Sequence, residues 1–116
     1  MSVPAELRDA LDEVASTARV DRVPNWRASI GIVVGDEPWV TCRTGSDGVS
    51  IVEGVTDVDS TLFASDAEVL KRWLVDCVDY THLVRAGDMV IDGSYFDVLL
   101  LSKALGLRPD RREVFA

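Results

Sequence analysis

Hydrophobic residues in the first half of the chain change from a helical spacing to an alternating one. Leu7, Leu11, Val14 and Ala18 recur every three or four residues and predict a surface helix over residues 4–18. From Ile30 onward, apolar and small or polar residues alternate, and Gly, Asp, Ser and Pro clusters divide the pattern. This alternation predicts an antiparallel meander of four short strands, over residues 30–34, 39–43, 49–53 and 59–64.

The spacing becomes helical again after residue 64. Ser65 and Glu68 form an S-x-x-E capping box, which predicts the start of a helix with a wide apolar face. Asp79 is expected to cap a short second helix over residues 80–86, which ends at Gly87. A fifth strand over residues 89–92 then leads to a last helix, which Ser94 caps and which runs to residue 105.

This last helix is apolar on nearly every side. Asp97, Ser102 and Lys103 are the polar residues between positions 95 and 105. Because one sheet face cannot cover such a helix, something else must: the preceding helices, a partner subunit or a bound apolar molecule. The sequence alone leaves these three alternatives open.

Composition limits the classes of partner. The chain of 116 residues has room for one domain, residues 1–116, and its 47% hydrophobic content is typical of a globular protein. Its net charge of −8 excludes a nucleic-acid partner and disfavours anionic lipid surfaces. The longest aliphatic run, residues 98–101, is far below the roughly 20 residues that span a bilayer, so we expect no stable membrane insertion. No apolar leader is recognisable at the amino terminus, so a cytoplasmic location is expected.

Few residues offer catalytic or metal-binding chemistry. His82 is the single histidine, and Asp79 could orient it as a general base, but no nucleophile is placed beside it, so we expect no catalytic residues. Asp57 and Asp59 resemble half of a cation site, yet no further acidic residue completes the shell, so no metal and no cofactor are expected.

The remaining candidates have structural interpretations. Cys42 and Cys77 lie in apolar segments and are predicted to be buried free thiols. The basic residues near the carboxyl end, Arg108, Arg111 and Arg112, are interpreted as solvated charge that balances an acidic body.

Two stretches carry a family resemblance. The sequence DSTLFASD at residues 59–66, followed by a helix pair, AGDMVIDGS at residues 86–94 and an apolar helix, resembles the sterol carrier protein 2 (SCP2) lipid-binding family over residues 29–107. The resemblance implies an α+β fold in which helices cover a five-stranded, mostly antiparallel sheet, in the order α-β-β-β-β-α-α-β-α. It also implies an apolar tunnel that takes up sterols, fatty acyl chains or acyl-CoA. Similar domains also occur as non-catalytic parts of bacterial enzymes, where they dimerise or close a pocket.

We therefore predict a non-enzymatic carrier that holds a lipid-like or other apolar small molecule in an internal cavity of about 300 to 1,000 Å³. The alternative is a protein-protein interaction or dimerisation module of the same fold without a ligand, and a homodimer is a possible partner. An interior core position is an equally good interpretation of each predicted lining residue. The predicted lining residues are Phe63, Leu70, Trp73, Leu74, Leu83, Met89, Ile91, Phe96, Leu99 and Leu100.

Overall fold

A computed structural model of the chain describes residues 3–23 and 25–107. The basic residues Arg108, Arg111 and Arg112 lie outside the described residues, so their predicted solvation stays a prediction. Within these residues, the elements follow the predicted order. The helices are α1 (Ala5–Ser16), α2 (Ala67–Leu74), α3 (Tyr80–Arg85) and α4 (Tyr95–Leu105), with a 3-10 turn at Val20–Arg22. The strands are β1 (Ser29–Val34), β2 (Glu37–Gly45), β3 (Gly48–Glu53), β4 (Ser60–Ala64) and β5 (Met89–Asp92).

The five strands form one mixed sheet in the order β3-β2-β1-β4-β5. β1 to β3 form the predicted antiparallel meander, and β5 is antiparallel to β4. The prediction of a four-stranded meander is wrong at β4, because β4 does not pair with β3 but runs parallel to β1. A tight turn cannot join β3 to a parallel strand three positions away in the sheet, so residues 54–59 form a crossover.

The crossover passes over one face of the sheet, which we call the outer face. The Thr41 hydroxyl donates to the carbonyl of Gly54 at 2.7 Å, and the Asp59 amide donates to the carbonyl of Ser29 at 2.7 Å. A Cβ atom added at Gly31 would lie 2.5 Å from Val55 Cγ1. Glycine at the centre of β1 therefore lets the crossover pack directly against the sheet.

The opposite face of the sheet carries the core and the helices. Ile30, Ile32, Leu62 and other alternate strand residues on this face are fully buried. α1, α2 and α4 cover it: Leu11 from α1 is fully buried there, and α2 and α4 are joined by a hydrogen bond from Trp73 Nε1 to Ser102 Oγ at 3.3 Å. The result is a two-layer α+β fold with its helices on one side.

The helix ends confirm part of the predicted capping. Asp79 caps α3 by accepting from the Thr81 amide at 3.0 Å, and Gly106 ends α4 with φ of 76°. The prediction that Ser65 caps α2 is wrong, because the carboxylate of the next residue, Asp66, accepts from the Val69 amide at 3.0 Å. Ser94 occupies the N-cap position of α4 without a side-chain cap, and its own amide donates to Ser60 Oγ instead.

Candidate functional site

The ten predicted lining residues divide between the core and the surface. Six of them lie in the core cluster between the helices and the sheet, and Leu100 packs against the edge of that cluster. Phe63, Phe96 and Leu99 are exposed instead. The six are Leu70, Trp73, Leu74, Leu83, Met89 and Ile91.

The periodicity of β4 and α4 explains why Phe63, Phe96 and Leu99 lie outside the core cluster. In β4, Leu62 faces the core, so the neighbouring Phe63 must point to the outer face, where it pairs with Val90 of β5. In α4, the buried side is defined by residues such as Val98 and Leu101, and Phe96 and Leu99 lie on the far side of the helix.

A cleft between α1 and α2 opens beside the core. Its volume is about 440 Å³, within the range of small-molecule sites. Its apolar wall is formed by Pro4, Leu7, Ala67 and Val75, while Glu6, Glu68 and Lys71 carry its charges. Leu7 also belongs to the core cluster. Leu70 and Leu74, two of the predicted lining residues, are buried one and two helical turns after Ala67 in α2. The cleft thus adjoins the part of the core that the sequence assigned to a ligand.

The cleft itself was not predicted. Its walls come from the first turn of α1 and from one side of α2 along its whole length, and no sequence pattern indicates that these two helices are neighbours. One sequence feature could have indicated the cleft, namely the small or apolar residues at three helix ends, Pro4, Ala67 and Val75. Longer side chains at these positions would fill the space between the helices.

Two further clefts open on the surface, and the first of them shares Ala67 with the cleft between α1 and α2. One of about 500 Å³ lies between the β1–β2 turn and the start of α2, and one of about 450 Å³ lies between α1 and the β2–β3 turn. Backbone and charged or hydroxyl groups of residues such as Asp36, Ser65 and Asp47 line them. The cleft of about 450 Å³ is less suited to an apolar ligand, because most of its lining is polar, whereas the cleft of about 500 Å³ also has apolar walls from Val34, Pro38 and Ala67.

Polar contacts fix α4 to the rest of the molecule at two levels. At its first turn, the Asp97 carboxylate accepts from Trp26 Nε1 at 3.1 Å and from Ser60 Oγ at 2.8 Å. Further along, Ser102 accepts from the buried indole of Trp73. The latter pair is a polar contact inside an otherwise apolar layer.

Two of the four candidate catalytic and metal-binding residues, Asp79 and Asp59, make structural hydrogen bonds. Asp79 is engaged as the cap of α3, and His82 is exposed one turn away. The Asp59 carboxylate accepts from the Ser29 amide at 2.8 Å and so fastens the crossover to β1. Among the described residues, no three His, Cys, Asp or Glu side chains are grouped to hold a metal ion.

Both cysteines are free and buried, as predicted. Burial raises the pKa of the Cys42 thiol from 9.0 to about 12, and the positive charge of Arg8 opposes this shift only in part. Cys42 is therefore a thiol, not a reactive thiolate, at neutral pH.

The chain has an SCP2-like fold, as comparison with solved structures establishes. Sterol Carrier Protein-2 from Aedes aegypti, solved in complex with the C16 fatty acid palmitate, matches with a TM-score of 0.64 and 13% identity, over 93% of this chain and 99% of that one. The UbiJ-SCP2 ubiquinone synthesis protein matches with a TM-score of 0.63 and 18% identity, over 94% and 98% of the two chains. The predicted fold class is confirmed.

A larger enzyme contains a region of similar structure. The stereoselective inverting sec-alkylsulfatase Pisa1 from Pseudomonas sp. matches with a TM-score of 0.66 and 16% identity. The match covers 84% of this chain but 15% of the sulfatase chain, so this protein spans only a small part of that enzyme's length.

Comparison of the sequence itself gives no match to a family model or to a curated protein. Within the described residues, none of the helices has the length and apolar character needed to cross a bilayer.

Proposed function

We propose that this protein binds an apolar, lipid-like small molecule at the cleft between α1 and α2, without chemical conversion. The observation that carries the proposal is the cleft of about 440 Å³ beside the apolar core. A molecule that enters it would meet Leu7, Ala67 and Val75 first and the buried side chains of α2 next. The palmitate complex of the similar Aedes aegypti protein supports a fatty acyl chain as the first ligand to test.

A ligand longer than the cleft requires the helical layer to open. Leu70, Trp73 and Leu74 are buried on the inner side of α2, directly behind the cleft. Outward movement of α1 or α2 would join the cleft to this layer and bring the ligand to the Trp73–Ser102 pair. In this way, the predicted internal cavity would be the extended form of the surface cleft.

The proposal of a non-enzymatic role is supported by the engagement of the candidate catalytic groups. The carboxylate of Asp79 serves a helix cap, which is not the arrangement that orients an imidazole as a base. The raised pKa of Cys42 keeps its sulfur protonated, and its burial keeps it out of reach of a substrate.

Palmitate binding to the delipidated chain tests the proposal. We expect one palmitate per chain by native mass spectrometry and isothermal titration calorimetry. Val75→Phe fills the cleft and should weaken binding by at least about tenfold, the effect of about 1.4 kcal/mol of lost contact or added strain. Val75 lines this cleft and neither of the two other clefts described, and it is 49% exposed at the end of α2, so a larger side chain should not prevent folding.

Val52→Phe is the matched control, because Val52 is an exposed aliphatic residue on β3, far along the sheet from the strands that flank α2. Its affinity should equal that of the unmodified chain. Absence of palmitate binding, or equal loss of affinity in both variants, would contradict the proposed site.

A further inference from the structure

The cleft between the β1–β2 turn and the start of α2 is lined by acidic side chains. We define it as the acidic cleft by its three carboxylates, Asp36, Glu37 and Asp66. Among the described residues, no lysine, arginine or histidine lines this space of about 500 Å³. An anionic group that entered the acidic cleft would therefore meet negative charge without a compensating cation, whereas a cationic group would be attracted.

One carboxylate oxygen of the acidic cleft has no hydrogen-bonding partner. Oε2 of Glu37 is buried, and within residues 3–23 and 25–107 no other buried side-chain oxygen or nitrogen is without a hydrogen bond. Asp66, in contrast, accepts from the Val69 amide as the cap of α2. A buried charged acceptor that has lost its water and found no donor is unfavourable, and a positively charged N–H donor satisfies it best.

Glu37 is accessible to an occupant through its side-chain torsions. The residue itself lines the acidic cleft, although its Oε2 atom is buried. The last torsion of a glutamate side chain is soft, so rotation of the carboxylate can turn this oxygen toward a donor in the cleft. The acidic cleft therefore has the group needed to hold an ammonium.

The acidic cleft adjoins the cleft between α1 and α2. Ala67 lines both of them, and its neighbours in sequence, Asp66 and Glu68, line one each. The two clefts thus open on either side of the first turn of α2. A molecule whose apolar chain lies against Val75 can extend its polar end past Ala67 toward Glu37.

The charges of the neighbouring cleft do not reverse the preference for a cation. Glu6 and Glu68 line that cleft together with Lys71, so its two carboxylates outnumber its one ammonium. The chain as a whole has a net charge of −8, which attracts cations over longer distances as well. Both the local and the overall charge therefore favour a positively charged head group.

We propose that the ligand of this protein is an amphiphile with a protonated amine, whose apolar chain lies in the cleft between α1 and α2 and whose ammonium lies in the acidic cleft beside Glu37. This ligand class rests on the proposed function and adds the head group that the site prefers. A long-chain primary amine has the required chemistry, because its ammonium supplies N–H donors and no acceptor. A fatty acid fits the apolar cleft but brings a carboxylate to the acidic one.

Three amphiphiles of equal chain length separate the effect of the head group from that of the chain. Dodecylamine, dodecanol and dodecanoate are each titrated into the complete chain by isothermal titration calorimetry, below the concentration at which the amphiphile self-associates. Dodecylamine should bind at least about tenfold more tightly than dodecanol, as a charge-assisted hydrogen bond to a carboxylate predicts. Dodecanoate should bind more weakly than dodecanol, because like charges repel each other.

Glu37→Gln tests the role of the buried carboxylate. The substitution removes the charge and keeps the size of the side chain, so it should weaken dodecylamine binding by at least about tenfold and leave dodecanol binding unchanged. Without ligand, urea unfolding should show no loss of stability, since the charge that is removed has no partner. The comparison of the three amphiphiles on the unmodified chain does not depend on how this variant folds.

Glu13→Gln is the matched control. Glu13 is exposed on α1 and lines none of the three clefts described, and its substitution changes the net charge of the chain equally. The affinities for all three amphiphiles should stay unchanged.

The head group and the apolar cleft can fail separately. Equal affinities for the three amphiphiles, all weakened by Val75→Phe, would overturn the amine proposal and leave the proposed function standing. A preference for dodecylamine that Glu37→Gln and Glu13→Gln reduce equally would also overturn it, because the overall negative charge would then explain the preference. A preference that depends on Glu37 but not on Val75→Phe would support the amine site and contradict the apolar cleft. Absence of binding by all three would overturn both.

Discussion

Among single residues, a buried polar pair joins two helices of the helical layer. Trp73 is fully buried, and Ser102 is almost so, and each satisfies the other's hydrogen-bonding group. The spacing of α2 predicted that Trp73 would be buried. It could not predict the contact with Ser102, because sequence periodicity does not indicate which helix lies opposite.

Ser102→Ala should destabilise the protein by about 1 to 3 kcal/mol, since the indole N–H of Trp73 would then be buried without a partner. Urea denaturation measures the change. Ser50→Ala is the control, because Ser50 is exposed and makes only a long hydrogen bond of 3.4 Å, so its effect should stay below about 0.5 kcal/mol. Equal effects of the two substitutions would show that the hydrogen bond between Trp73 and Ser102 adds nothing measurable to the free energy of unfolding.

Cys42 should make the stability depend on pH in the alkaline range. Folding raises the pKa of its thiol from 9.0 to about 12, so the folded state holds a proton that the unfolded chain releases. Its contribution is complete below pH 9 and declines as the pH rises from 9 toward 12. Between pH 8 and pH 10 the unmodified chain should lose about 1.4 kcal/mol more than Cys42→Ala. Parallel pH profiles for the two proteins would contradict the assignment.

At the scale of elements, local pattern predicts the strands and helices, but it does not predict their partners. All five strands and four helices lie within a few residues of the predicted positions, because each has a clear period and turn residues at its ends. The pairing of β4 with β1 depends on the crossover of residues 54–59, and its turn residues were consistent with an ordinary hairpin. The indication available in the sequence was Gly31 in a strand of β-branched residues.

Gly31→Ala should therefore disturb the crossover. The new Cβ atom would approach Val55 Cγ1 to 2.5 Å, and an overpacked contact of this kind costs about 1 to 3 kcal/mol. Adding Val55→Ala should recover part of this loss, and a double-mutant cycle of thermal or urea unfolding measures the coupling. Strictly additive effects would mean that Val55 does not pack on Gly31.

In the molecule as a whole, one side of α4 is exposed among residues 3–23 and 25–107. The sequence predicted this excess of apolar surface on α4, and Phe96 and Leu99 are indeed exposed. It did not predict where a ligand would enter, because a cleft is a property of three-dimensional packing. Six of the ten predicted lining residues lie together in the core, whereas the cleft beside them is bounded mainly by residues that the pattern did not mark.

The proposed function requires that an apolar molecule bind between α1 and α2 and reach the core behind them. NMR spectra of the isotope-labelled chain, recorded during a titration with palmitate, test both requirements together. We expect the amide signals of Leu7, Ala67 and Val75 and the indole signal of Trp73 to shift together and to saturate at one palmitate per chain. Unchanged spectra, or shifts confined to Phe96 and Leu99 of α4, would exclude binding at this cleft.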